Sequence, residues 1–212
     1  HPFGKSHLIN PERLIASAKI IYGKSMNKLW GNIEGIDENK VIPVNDKEKI
    51  KINHIEIKAL HTPGHAKHHI SWVIGDSVFT GDVAGAKINN GPLVPACPPP
   101  DINFEKWEKS LELIKKENPK FLYFTHFGKF SYKKNEIINL QTTLKEWLIW
   151  VKKNKDQNET ILIEKFKGYI KKSLKSKSVD DQTIEQYCIA NPPYMSILGL
   201  KRVLIKKNYD KT

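Results

Sequence analysis

The sequence predicts a mixed α/β fold followed by a small helical extension, and three features of its apolar pattern support this prediction. Apolar residues alternate through two candidate hairpins, at 50–59 and 70–79, as expected of strands with one buried face. The pattern then changes to helical spacing, interrupted by a short apolar run at 121–125 that is typical of a buried strand. Only helical patterns follow. We therefore expect a sheet covered by helices over residues 1–152 and a helical extension over residues 153–212.

The predicted elements have recognisable signals at their ends. Asn10 and Pro11 mark a helix start, because Asn caps free N–H groups and Pro is tolerated at the first helical position. The apolar phase slips at residues 53–54, which predicts a two-residue hairpin turn, and a second hairpin is predicted where Gly75 and Asp76 separate an alternating strand from its return strand. Residues 91–100 are predicted to form a loop, since their prolines lack the N–H donors that a sheet requires. Further helices are predicted at 104–114, 137–151, 166–174, 183–189 and 195–206.

Composition limits the classes of function. The chain has 212 residues, of which 39% are hydrophobic, and no apolar stretch approaches the roughly 20 residues that cross a bilayer, so we expect a soluble protein. Cys97 and Cys188 form no C-x-x-C pair, which argues against a disulfide framework and favours the reducing cytoplasm. The formal net charge of +12 suits an acidic partner, but Arg13 and Arg202 are the only arginines. Nucleic-acid binding is therefore not expected, because bidentate recognition of bases and phosphates favours Arg.

Three short motifs place a His or an Asp directly after an extended apolar run. They are His61-Thr62-Pro63-Gly64-His65, Phe79-Thr80-Gly81-Asp82 and Phe124-Thr125-His126-Phe127-Gly128. A Gly in each motif lets the backbone turn sharply and leaves the polar side chain exposed at the end of the strand. Imidazole nitrogen and carboxylate oxygen, with no thiolate, suit Zn²⁺ and also admit Fe or Mn. The motifs therefore predict a metal centre at a sheet edge, with hydrolysis as the leading chemistry.

The order of TPGH, a hairpin, FTGD, a helix, a strand and THFG resembles the second half of a metallo-β-lactamase superfamily domain. The loop GPLVPACPPPD and the opening HLINPERLIASAKIIYG resemble the hydrolase-like subgroup that has a helical C-terminal extension. This resemblance implies an αββα sandwich, in which two sheets are faced by helices, with a mono- or dinuclear metal centre along one edge. It also implies that a metal-activated water attacks an ester, lactone, thioester or similar bond of a small-molecule substrate.

By that resemblance, His65 would bind one metal ion, Asp82 would bridge two ions in the catalytic centre, and His126 would bind the second. One or two Zn ions are implied for the complete domain. The family's signature HxHxDH, however, occurs nowhere in this chain. We infer that the N-terminal half has been lost, is supplied separately or was never part of this polypeptide. We therefore expect incomplete activity and a homo-oligomer, or association with the missing half, which would cover the exposed sheet.

Other candidate residues are assigned supporting roles. His69 matches the second His of the family's TPGHxxGH pattern, although His68 replaces its Gly, and we expect His69 to support the ligands. His61 is expected to organise the TPGH turn rather than to bind metal. Cys97, in the proline-rich loop, would touch substrate if exposed, and a buried inert thiol is the alternative.

Three functions remain open at this point. The first is a metal-dependent hydrolase, and the second is a non-catalytic binding or assembly module that persists through self-association or a partner chain. Metal content separates them, because a complete hydrolase would retain about two equivalents per chain. The third is an enzyme that oxidises persulfides with a single iron, which also occurs on this fold.

Overall fold

A six-stranded sheet organises the described part of the molecule. The computed structural model describes residues 1–126 and 128–209; for Ile21 and residues 206–209 it describes the backbone alone. The strands follow one another in chain order across the sheet, and every neighbouring pair is antiparallel except the fourth and fifth, which are parallel. They are β1 (Lys49–Ile52), β2 (Ile55–His61), β3 (Ile70–Ile74), β4 (Ser77–Gly81), β5 (Phe121–Phe124) and β6 (Gly128–Ser131).

Helices precede, interrupt and follow the sheet. They are α1 (Pro2–Ile9), α2 (Glu12–Tyr22), α3 (Met26–Trp30), α4 (Phe104–Lys116), α5 (Lys134–Asn154), α6 (Glu159–Lys175), α7 (Asp181–Ala190) and α8 (Pro193–Tyr209). Three 3-10 turns lie at Gly23–Ser25, Glu38–Lys40 and Asp82–Ala84. None of the described helices combines the length and the apolar character needed to cross a membrane.

The mixed α/β fold with a helical extension is confirmed. Both hairpin turns lie where the alternating pattern places them, and Asn53 and Gly75 have the positive φ angles, 53° and 57°, that such turns require. Helices α1 and α3 and strand β6 are absent from the sequence prediction. Phe127, in the third motif, lies outside the described residues.

Strand direction brings the three motifs to one edge of the sheet. Since β3 is antiparallel to both β2 and β4, and β4 is parallel to β5, the strands β2, β4 and β5 all point the same way. The register between β4 and β5 shifts between Phe79 and Gly81, which leaves Thr80 as an extra residue of the bulge. The carboxyl ends of these three strands therefore meet, and each motif begins at such an end.

One face of the sheet is covered by a large core. Val78, Leu122 and Phe124 lie in it together with residues of α4 and α5, such as Trp107 and Leu140. The core continues without a break into the helical extension. It includes Phe166 and Ile170 of α6, Tyr187 of α7 and Leu200 of α8. The predicted division at 152–153 falls within α5, and the extension shares the core of the sheet domain.

The opposite face of the sheet, called here the open face, carries apolar side chains outside this core. Phe79 is 38% exposed and stacks on Tyr123, with ring centroids 4.4 Å apart. We define the open face by six side chains that are all partly exposed: Ile57, Trp72, Ile74, Phe79, Phe121 and Tyr123. The exposure of so many large side chains on one face indicates a surface suited to covering by another polypeptide.

Candidate metal centre

Asp82 lies at the centre of the site, with one imidazole beside each of its carboxylate oxygens. Nε2 of His65 is 3.5 Å from Oδ2, and Nε2 of His126 is 3.4 Å from Oδ1. His65 follows β2 by four residues, Asp82 directly follows β4, and His126 is the second residue after β5. The structure thus brings together the three residues that the motifs single out as ligands.

Contacts on several sides hold the His65 ring. Gly64 has a φ of +140°, and a side chain there would overlap the backbone of Trp107, so the turn packs tightly against the start of α4. The indole of Trp107 meets the His65 ring edge to face, with centroids 5.8 Å apart, and its Nε1 donates a hydrogen bond to the carbonyl oxygen of Val83. On the other side, Nδ1 of His65 lies 2.9 Å from the carbonyl oxygen of Ala96. The ring is therefore fixed in orientation before any ligand arrives.

His69 supports the segment that carries Asp82. Its Nε2 accepts a hydrogen bond of 3.3 Å from the backbone N–H of Val83, and its Nδ1 lies 2.8 Å from Oγ1 of Thr62. Gly81 makes room for this ring, since a Cβ at that position would overlap His69 Nε2. These contacts suit the supporting role predicted for His69 and leave its Nε2 engaged with the backbone.

Burial and charge set the pKa values of the site. Burial lowers the pKa of His65, and the opposing influence of Asp82 and of the Ala96 carbonyl is smaller. Burial also lowers the pKa of His69, to about 4. For Asp82, burial raises the pKa, but His126 and the other two imidazoles outweigh it, so the pKa lies below its ordinary value. The interaction with Asp82 raises the pKa of His126. Near neutral pH, His65 is therefore neutral beside an ionised Asp82.

The hydrogen bonding of His65 leaves two acceptors facing each other. A carbonyl oxygen only accepts, so the proton of the neutral His65 ring sits on Nδ1 beside Ala96. Its Nε2 therefore presents a lone pair near Oδ2 of Asp82. The other oxygen, Oδ1, is buried and accepts no hydrogen bond of ordinary geometry from the residues that the structure describes, although Nε2 of His126 is 3.4 Å away. Such an arrangement is unfavourable unless a cation, or a donor such as water, lies between the acceptors, and a cation suits a neutral imidazole beside an ionised carboxylate.

Each oxygen of Asp82 pairs with a different imidazole. In a tetrahedral Zn²⁺ site with bonds of ~2.0–2.2 Å, two ligand atoms are roughly 3.3–3.6 Å apart. The separations of 3.5 and 3.4 Å fit this spacing at two positions, one for each oxygen of the carboxylate. Among the described residues, however, no group of three or more His, Cys, Asp or Glu side chains stands ready to hold a metal ion. Asp82 with one imidazole on each side would therefore supply two donors to each of two metal ions.

Two other residues singled out by the sequence, His61 and Cys97, make their contacts elsewhere than at Asp82. Nε2 of His61 lies 2.9 Å from the carbonyl oxygen of Val44, and its backbone N–H donates to Asp46, so His61 secures the segment before β1. Cys97 is fully buried, and burial raises the pKa of its thiol. A buried, protonated thiol fits the inert alternative rather than contact with substrate.

Sequence reasoning missed the residues that orient the ligands. Ala96 acts through its backbone carbonyl, which no sequence pattern marks. Trp107 carries a weak signal, because its position on the apolar face of α4 predicts burial but not contact with His65. The buried hydroxyl groups of Thr62 and Ser71 lie 2.9 Å apart. Thr62, which contacts the His69 ring, is thereby connected to Ser71 of β3.

Comparison with known families agrees with the arrangement of these strands and motifs. The family model described as the metallo-beta-lactamase superfamily matches residues 16–126, which include His65, Asp82 and His126. The match spans more than half of the chain. The chain therefore belongs to the metallo-beta-lactamase superfamily.

Particular relatives extend this result. A metallo-beta-lactamase fold-containing protein, ST1585 from Sulfurisphaera tokodaii, is 35% identical over 123 residues, which are 58% of this chain and 46% of the relative. The crystal structure of ST1585, from Sulfolobus tokodaii, matches with a TM-score of 0.58 at 30% identity and covers 66% of this chain and 55% of that one. This chain thus spans about half the length of these relatives.

A second solved structure is similar over almost the whole chain. TTHA1429 from Thermus thermophilus, a metallo-beta-lactamase family protein, matches with a TM-score of 0.64 at 14% identity, covering 97% of this chain and 64% of that one. At that identity the likeness concerns the fold alone. It includes the helical extension, which therefore also occurs in another member of the fold.

Proposed function

We propose that this chain forms part of a metal-dependent hydrolase that cleaves an ester, lactone, thioester or similar bond in a small-molecule substrate. The observation that carries the proposal is the pair of facing acceptors at Asp82, where the Nε2 lone pair of His65 lies 3.5 Å from a carboxylate oxygen. Zn is the first candidate, with Fe or Mn as alternatives for the same donors. Membership of the superfamily supports the proposal.

In the proposed site, Asp82 and His65 would hold one cation, and Asp82 and His126 would hold a second. Metal ions held there would supply Lewis acidity, which lowers the pKa of a bound water towards ~7 and polarises the scissile carbonyl. The residues of this chain preorganise that chemistry. Ala96 and Trp107 fix the His65 ring, and His69 holds the backbone beside Asp82, so the donors need no rearrangement when a cation binds.

Two donors at each position are fewer than a catalytic site uses. We therefore propose that further ligands come from polypeptide outside these 212 residues, and that the chain alone hydrolyses such substrates negligibly. If no other ligands are supplied, the chain acts instead as a binding or assembly module, a second candidate that the exposed apolar side chains of the open face favour.

Reconstitution tests the hydrolase proposal. The chain is mixed with the part of ST1585 that it does not match, with Zn²⁺ or Mn²⁺, and is assayed on ester, lactone and thioester substrates. We expect turnover from the complex that is lost in Asp82→Asn, and none from the chain alone. Gel filtration establishes whether a complex forms. A complex that forms and yet shows no turnover would favour the assembly module.

A further inference from the structure

The loop that orients His65 is itself held at several points. Residues 86–97, called here the site loop, begin with a pair of backbone hydrogen bonds between Ala86 and Val94, of 2.8 and 2.9 Å. Two residues further on, the carbonyl oxygen of Ala96 faces Nδ1 of His65 at 2.9 Å. The orientation of the His65 ring therefore depends on where the end of the site loop lies.

The helical extension contacts the site loop immediately before and after Ala96. Nδ2 of Asn191, at the end of α7, donates a hydrogen bond of 2.5 Å to the carbonyl oxygen of Pro95. Gly199 of α8 lies against the carbonyl of Cys97, so closely that a Cβ there would overlap that oxygen. Asn191 and Cys97 are both buried. The carbonyl groups of Pro95 and Cys97, the residues on either side of Ala96, are thus contacted by residues that lie about one hundred positions later in the chain.

Tyr187 of α7 makes a second attachment to the same loop. Its hydroxyl accepts a hydrogen bond of 3.0 Å from the backbone N–H of Ile88 and donates one of 2.6 Å to the carbonyl oxygen of Pro92. Burial raises the pKa of Tyr187 to about 12, so the hydroxyl keeps the proton that it donates. One side chain thereby joins two points of the site loop.

We propose that the helical extension positions His65, with Asn191 and Gly199 holding residues 95–97 so that the Ala96 carbonyl keeps the proton of His65 on Nδ1. Asn191 is then a positioning residue, since it reaches the ligand candidate through the loop rather than by direct contact. A ring held in this way presents Nε2 to Asp82 without a loss of rotational freedom on binding. This inference rests on the proposed function in one respect only, namely that the oriented His65 ring serves to bind a cation.

The ring nitrogens of His65 give the most direct test. Long-range ¹H–¹⁵N spectra of the metal-free 212-residue chain are expected to show one protonated nitrogen, Nδ1. In Asn191→Ala, we expect the two ring nitrogens to shift towards a common averaged value, because the Ala96 carbonyl is no longer held. Asn89→Ala is the matched control. It removes another amide hydrogen bond between the loop and the extension, from Asn89 Nδ2 to Thr183, seven residues before Ala96.

A second variant and a second readout keep the test decisive. Tyr187→Phe retains the buried ring but removes the bond to Pro92, and it decides the question if far-ultraviolet circular dichroism shows that Asn191→Ala does not fold. Calorimetric Zn²⁺ titration of the folded variants is expected to show about tenfold weaker binding, the lower end of the effect of losing a ligand's support.

The outcomes separate the two proposals. If the wild-type chain binds no zinc but the variants still disturb His65, the proposed function fails and the positioning role stands. If zinc binding and the His65 spectrum are the same in the wild type, in Tyr187→Phe and in any folded Asn191→Ala, the positioning role is overturned. An equal disturbance of His65 by Asn89→Ala would also overturn it, because the effect would then not depend on Asn191.

Discussion

The two faces of the sheet differ in how completely this chain covers them. On the covered face, Val78 and Leu122 are 0% and 3% exposed within a core that reaches the last helix, whereas Phe79 on the open face is 38% exposed. The candidate metal centre shows the same contrast, since the support of His65 is complete but each cation position has only two donors from the described part of this chain. The chain therefore builds the support of the site by itself. We expect the remaining ligands of the site to come from the polypeptide that covers the open face in the complete site.

The largest expected effect compares one aromatic residue from each face. Trp107 is fully buried and Phe79 is not, so we expect Trp107→Ala to lower the free energy of unfolding by about 3–5 kcal/mol. Phe79→Ala loses the stack on Tyr123 and should cost less than about 1 kcal/mol. Urea unfolding at low protein concentration measures both. Equal losses would mean that the open face belongs to the core of the single chain.

The second prediction concerns self-association of the chain through the open face, where the expected change in free energy is smaller. When the 212-residue chain is alone in solution, without the polypeptide that would complete the site, we propose that a second copy of the chain covers the open face. Packed sheets bury such apolar faces, and in a two-fold contact the same face of each copy meets the other. Light scattering should then give about twice the chain mass of 24.4 kDa. The dimeric fraction should rise with salt concentration, because each copy carries a formal charge of +12 and salt screens the repulsion between the copies.

A charge placed on the open face tests this contact. Phe79→Lys should raise the dissociation constant at least about tenfold, since losing a buried aromatic anchor costs more than ~1.4 kcal/mol. Ile189→Lys is the control, because Ile189 is 77% exposed on α7, away from the sheet. A monomer of 24.4 kDa at all concentrations would contradict the proposed association.

The sequence predicts best the features that depend on neighbouring residues. Alternation and turn residues located both hairpins, and the end of each strand located His65, Asp82 and His126, because these signals lie within a few residues of what they determine. β6 escaped prediction because Gly128–Ser131 is short and has no clear alternation. α1 was missed for a related reason, since its residues form no distinct apolar face.

The support of the site could not be predicted from local patterns. The bond from Asn191 to Pro95 and the contacts of Tyr187 with the site loop join residues almost one hundred positions apart. The orientation of His65 depends on a backbone carbonyl, at Ala96, that any residue type would supply. Periodicity does predict that α7 buries one face, but it does not identify the loop against which that face packs.

Zinc binding by the chain decides whether Asp82 lies at the centre of a metal site. Calorimetric titration of the chain with Zn²⁺ is compared between the wild type, Asp82→Asn and the control Asp76→Asn, whose carboxylate lies in an exposed turn beside Lys120. Asparagine keeps the shape of aspartate but loses the charge and one acceptor oxygen. We predict that Asp82→Asn weakens binding at least about a hundredfold, since even the loss of a ligand's support costs 10–100-fold, and that Asp76→Asn leaves it unchanged. Equal affinity in all three proteins, or no binding by the wild type, would contradict the claim that Asp82 centres a metal site.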